Sequence, residues 1–132
     1  MPVSNLDFLA DNQYLRTLEV RDCQALGDIS ALGTLTGLQN LNFGNCRQIN
    51  DFSCLEDNRE LRNFHFDQGG GNDLRDVSFL EDKPNLTSVE LYGCRLQNLD
   101  FLKQVYSGTA FSLTIHGKVN DWSALTSVRQ YG

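Results

Sequence analysis

Apolar residues return along this chain in one recurring phrase. Leu15, Leu18 and Val20 stand at spacings of three and two, followed by Cys23, Leu26, Ile29 and Leu32. After 23 residues the same set comes back as Leu38, Leu41, Phe43, Cys46, Ile49, Phe52 and Leu55. A third copy runs from Leu61, Phe64 and Phe66 to Leu74, Val77 and Leu80, and a fourth from Leu86, Val89 and Leu91 through Cys94 to Leu99 and Leu102. A worn fifth copy keeps Leu113, Ile115, Val119, Trp122 and Leu125. The alternation at Leu-x-Val or Leu-x-Phe predicts a short strand with one face turned inward. The threefold spacing of Leu26, Ile29 and Leu32 predicts one turn of helix or 3₁₀ structure packed behind that strand. A period in the low twenties predicts stacked units. No unit closes a core alone; stacking pairs their strands in parallel over a continuous apolar column.

The polar letters of the phrase fit the same plan. Ser53-x-x-Glu56 and Ser78-x-x-Glu81 read as capping boxes at the start of the return turn, and Asp7 and Asp100 stand where they can cap in the same way. Asn5, Asp28, Asp51, Asp76, Asn98 and Asp121 form a column of short carbonyl-bearing side chains suited to Asx-turns. They lie one repeat apart rather than on one loop, so a calcium ladder is not expected. The third copy replaces the cysteine with Gly69-Gly70-Gly71, the segment from Lys103 to Thr109 lengthens the link to the fifth copy, and Lys118 stands there in place of cysteine. The expected organisation is a single domain over 1–132: a half repeat at 1–14, four repeats over 15–109 and a degenerate repeat at 110–132.

The run Leu-x-x-Leu-x-Leu-x-x-Cys, as it stands at Leu15 to Cys23, Leu38 to Cys46 and Leu86 to Cys94, resembles the core segment of the leucine-rich repeat family. Return segments such as Gly27-Asp28-Ile29-Ser30-Ala31-Leu32 resemble those of bacterial, internalin-like repeats. The Cys-x-x-[Leu/Ile]-x-Asp run is similar to cysteine-containing repeats, including those in sensor regions of NACHT-type ATPases. The resemblance implies an α/β solenoid. Its horseshoe would carry about five parallel strands on the concave face and short helical or 3₁₀ turns on the convex face. It also implies a module that binds another protein. An inhibitor or immunity protein masking a toxin or nuclease, and the sensing part of a larger ATPase, are the alternative forms of that reading.

Charge narrows the partners. The chain of 132 residues has a formal net charge of -6, which disfavours a nucleic-acid backbone or an anionic membrane. No apolar run approaches 18 residues, and Met1 to Gln13 lacks a charged start followed by an apolar stretch, so neither a span nor a signal peptide is expected. Cys23, Cys46 and Cys94 share one repeat position and Cys54 another. They read as small buried thiols in a reducing compartment, which leads to the expectation of a cytoplasmic protein. No cofactor, and no small-molecule ligand, is expected. A weak homodimer through an uncapped stack end stays open.

The repeat register also sorts the outward side chains into columns. Thr17, Asn40, Asn63, Ser88 and Ser112 form one; Glu19, Asn42, His65, Glu90 and Thr114 the next; Arg21, Gly44, Asp67, Tyr92 and His116 the third, with Arg16 and Arg62 alongside. The candidate partner-binding residues on this face are Arg16, Glu19, Arg21, Asn42, Arg62, His65, Asp67, Glu90, Tyr92 and His116. Aromatic residues and arginine dominate protein-binding hot spots, which favours Tyr92 and, beside it, Phe111, although Phe111 fits packing under the Lys103–Thr109 loop equally well. His65, Asp67 and Glu90 are the one set that invites a metal. His116 sits two strands and one column from His65, roughly 11–12 Å by strand spacing, too far for joint ligation. No metal site is assigned, and no catalytic triad can be assembled, because the column cysteines point inward. Across the whole face Glu19, Asp22, Asp67 and Glu90 nearly balance Arg16, Arg21 and Arg62, so the net charge is expected to serve solubility more than an anionic funnel.

Overall fold

The computed structural model describes residues 4–67, 74–104 and 111–121. Its strands are β1 (Thr17–Arg21), β2 (Asn40–Gly44), β3 (Asn63–Asp67), β4 (Ser88–Asn98) and β5 (Ser112–Asp121). They form one parallel sheet in chain order. The register aligns equivalent repeat positions: Leu18 with Leu41, Leu41 with Phe64, Phe64 with Val89 and Val89 with Leu113, and likewise from Val20 through Phe43, Phe66 and Leu91 to Ile115. Stacking rather than folding of each unit makes the core. Leu41, Phe43, Phe64, Phe66, Val89 and Leu91 in the middle are all but inaccessible, whereas Leu18 and Val20 at one end and Leu113 and Ile115 at the other are only partly covered.

Among the described residues each return turn is 3₁₀, at Asp7–Leu9, Ser30–Thr34, Ser53–Leu55, Ser78–Leu80 and Asp100–Gln104. The capping boxes do not form. At Ser53 and Ser78 the serine is the first residue inside the turn, the residue before it is Phe52 or Val77, and neither turn has a side-chain cap at that place. The Asx column does this work instead. The backbone N–H groups of Asp7, Ser30, Ser53, Ser78 and Asp100 donate to Asn5, Asp28, Asp51, Asp76 and Asn98 at 2.8–3.0 Å. Those hydrogen bonds hold the Asp28 and Asp51 carboxyls below their ordinary value. A side chain two residues upstream reaches the free amide, and the position it would otherwise leave to a serine cap goes to the core.

The last two strands run longer than the short segments the phrase predicts. After a register shift between Tyr92 and Cys94 the pairing of β4 with β5 continues from Cys94 and Gly117 to Asn98 and Asp121. Gly117 makes this possible, because a Cβ there would fall 2.2 Å from the Cys94 carbonyl oxygen. Trp122, the triple glycine and most of the Lys103–Thr109 segment lie outside the described residues.

Two buried polar residues join successive return turns. Asn58 donates through Nδ2 to the carbonyls of Leu32 and Leu35, both at 3.0 Å. One repeat on, Lys83 donates to the carbonyls of Glu56 and Glu81 at 3.0 and 3.3 Å. Asn58 thereby adds a second donor to carbonyls that already accept from the N–H groups of Leu35 and Leu38, and Lys83 ties the ends of two successive turns together.

The buried thiols set the alkaline behaviour. Burial pushes Cys94 up to about 12 and Cys54 up to about 11, and raises Cys46 too. Below pH 9.0, their ordinary value, the protonated thiols stabilise the fold fully. Above it the unfolded chain ionises first and stability falls, by about 1.4 kcal/mol per pH unit for fully buried Cys94. Lys83 acts the other way: burial holds it below 10.5, so its cost is present at neutral pH and is relieved as pH rises to 10.5. Urea denaturation at pH 8 and pH 10 should show Cys94→Ala losing less stability over this interval than the parent. An equal loss in both would contradict burial of that thiol.

Candidate functional site

The outward positions of the sheet fall into the three expected columns, because the register between neighbouring strands is unbroken from β1 to β5 as far as Tyr92 and His116. This surface is the concave face of the repeat geometry. Its first column is a ladder: Asn63 donates through Nδ2 to Asn40 Oδ1, and Asn40 donates to Thr17 Oγ1 at 3.1 Å. Side chains that repeat across parallel strands thereby hold one another in place before any partner arrives.

The second and third columns carry the ionisable and aromatic groups. Glu19 Oε1 accepts from Arg21 Nε at 2.8 Å, and this ion pair raises the Arg21 value. His65 Nδ1 lies 2.5 Å from Glu90 Oε2. Tyr92 sits between both histidines of the chain, with its ring centre 5.4 Å from His65 and 4.8 Å from His116, stacked on the latter. The two imidazoles that strand spacing separates are therefore joined through one phenol ring. His65 and Glu90 bond to each other, and among the described residues no cluster of three or more His, Cys, Asp or Glu is placed to hold a metal.

The remaining candidates divide. Arg16 folds back to donate to the Gln13 carbonyl at 2.8 Å, Arg62 is exposed beside the ladder, and Asp67 is half-buried in register with Tyr92. Phe111 packs partly buried against the core, which favours its packing role. Around the columns the chain leaves the strand through left-handed residues, Asp22 at φ 58° and Asn45 at φ 55°, with Asn45 Nδ2 donating to Asp22 Oδ1 at 2.8 Å. Short polar side chains tolerate that backbone, a signal present in the sequence but readable only once the strand end is known.

Between the first two columns lies a depression of about 270 Å³ lined by Thr17, Glu19, Asn40, Asn42, Asn63, His65, Ser88 and Glu90, with the strand at Leu18, Leu41 and Phe64 beneath it and those three side chains turned to the core. None of these lining residues is lysine or arginine. Charge that nearly balances over the whole face is thus acidic at its centre. Asn42, one of the lining residues, has its Oδ1 shielded from solvent and without a hydrogen-bond partner.

The parallel sheet, the single-turn 3₁₀ returns and the side-chain columns define a leucine-rich repeat solenoid. Its architecture is that of the internalins. The chain superposes on internalin C2 of Listeria monocytogenes with a TM-score of 0.67 at 18% identity, over 97% of this chain and 64% of that one. Internalin F of the same organism gives a TM-score of 0.57 at 16% identity, over 96% of this chain and 42% of that one. The chain thus spans under two thirds of the length of these structural neighbours. No protein-family model matches the chain, and no curated protein matches it in sequence.

Proposed function

We propose that this chain is a non-catalytic protein-binding module that recognises another protein through the concave strand face. The observation that carries the reading is the hydrogen-bonded, stacked set of side chains on that face. The ladder, the Glu19–Arg21 and His65–Glu90 pairs and the stack of Tyr92 between His65 and His116 present many contacts at fixed spacing. Preorganisation of this kind lowers the ordering cost of binding. Tyr92 offers the large amphipathic contact that dominates hot spots. Masking of a toxin or nuclease is one form of this activity, and a sensing role inside a larger protein is another. Four free thiols, two of them buried, suit a reducing compartment, and the cytoplasm is the proposed location.

A photo-crosslinking residue installed at Ser88, on the face, and at Ser53, on a return turn, tests this in lysate of the native host. The Ser88 variant should capture one discrete protein and the Ser53 variant none. Capture of the same protein from Ser53 alone would place binding on the convex side.

A further inference from the structure

We infer that the depression at the centre of the concave face receives an arginine side chain of the partner protein. This rests on the concave-face reading and sharpens it. The row Glu19, Asn42, His65, Glu90 runs straight across four paired strands, so its side chains stand about 4.8 Å apart in sequence across the sheet. Three features of that row match a guanidinium.

The first is charge. Two carboxylates line the depression and no lysine or arginine does. Arg21, in the neighbouring column, is held by Glu19 through Nε. Each carboxylate spends one oxygen within the face, Glu19 Oε1 on Arg21 and Glu90 Oε2 on His65, and each has a second oxygen to offer. The second feature is the shortage of donors for the row. The ladder amides of Asn40 and Asn63 point their N–H groups along the first column, to Thr17 and to Asn40. Asn42 Oδ1 is left buried without a donor. Buried polar atoms in folded proteins are almost always paired; of the two orphan acceptors among the described residues, Asn42 Oδ1 and Asn58 Oδ1, only that of Asn42 belongs to a residue lining the depression. The terminal torsion of an asparagine is soft, and turning it presents Oδ1 to a guest.

The third feature is shape. A depression of about 270 Å³ between polar side chains suits one long side chain laid across the strand backbone at Leu18, Leu41 and Phe64, with its head against the acceptors. A planar fork of five donors can reach an amide oxygen and a carboxylate together; an ammonium, a single point charge, cannot match both at once. A partner rich in arginine also complements a chain of net charge -6.

The test titrates the isotopically labelled chain with acetyl-Gly-Arg-Gly-amide at low ionic strength, followed by backbone amide NMR. Lysine and citrulline versions of the peptide serve as comparisons. The arginine peptide should shift amides at 40–42, 63–65 and 88–90, bind more tightly than the lysine peptide, and leave the uncharged citrulline peptide without effect. Asn42→Leu and, independently, Glu90→Gln should each weaken it by about tenfold. Asn42→Asp should tighten it, and Asn50→Asp, which adds the same charge on an exposed return segment, should not. Shifts spread over the acidic surface, or equal tightening by Asn42→Asp and Asn50→Asp, would overturn the inference. If the peptide fails in this way while alanine at Arg62, His65 and Tyr92 still abolishes capture of the protein partner, only the arginine pocket falls. If capture survives as well, the concave-face reading falls with it.

Discussion

Phe52→Ala should destabilise the protein by about 3–5 kcal/mol, lowering the melting temperature by roughly 10–20 °C. Phe52 belongs to a return turn yet stands at the centre of the core. Its ring centre lies 5.7 Å from Phe43, 5.1 Å from Phe64, 5.0 Å from Phe66 and 5.3 Å from Phe79, in mostly tilted and edge-on contacts. Those partners come from β2, from β3 and from the next return turn, so one side chain couples three levels of the stack. In a quasi-one-dimensional protein, stability is carried by such contacts between neighbours. Truncation leaves a cavity that the flanking strands, fixed by their ladder, cannot collapse into. Phe52→Leu keeps most of the volume and should cost under about 1.5 kcal/mol. Urea denaturation of both variants measures the difference, and a Phe52→Ala loss no larger than that of Phe52→Leu would contradict the packing described.

Simultaneous replacement of Arg62, His65 and Tyr92 by alanine should weaken the partner complex at least about 100-fold while changing stability little. The three side chains project from the face and none belongs to the buried core. Tyr92 supplies aromatic area, Arg62 an exposed guanidinium, and His65 holds the Glu90 carboxylate in place. Removing them together takes away the stack and the charge pair but leaves Phe64, Phe66 and Leu91 untouched beneath. Asp57→Ala with Ser78→Ala, on the return side, serves as the comparison and should leave affinity unchanged. Calorimetric titration with the captured partner, alongside thermal melting of each variant, separates loss of binding from loss of fold.

The strand register was legible because the inward positions of a parallel stack must all be apolar, and a period of two then places every outward residue. Thr17 with Asn40, Glu19 with Asn42 and Tyr92 with His116 follow from that alone. The Asx column was legible for a similar reason, since a short carbonyl side chain recurs wherever a free amide follows two residues later. The serines at 53 and 78 misled because a capping box and the first residue of a 3₁₀ turn share the same letters. Their difference lies in backbone angles. Asn58 and Lys83 were not legible at all: polar residues read as surface, and only stacking of the return turns shows which carbonyls they reach. The extension of β4 and β5 depends on pairing between two segments: Cys94 and Leu96 alternate with Arg95 and Gln97 in β4, but around Gly117 and Lys118 in β5 only Val119 is buried. At the face, residue types revealed the columns, but the pairing of His65 with Glu90 and the orphan acceptor at Asn42 depend on side-chain directions within a register. Summing charge over the whole face concealed the acidic centre.

Hydrogen–deuterium exchange of the chain, free and bound to its captured partner, locates the binding surface along the sequence. Binding through the concave face predicts new protection concentrated in peptides spanning 40–44, 63–67 and 88–92, with 53–58 and 78–83 unchanged. Protection confined to the return turns, with the strands exchanging as in the free protein, would contradict it.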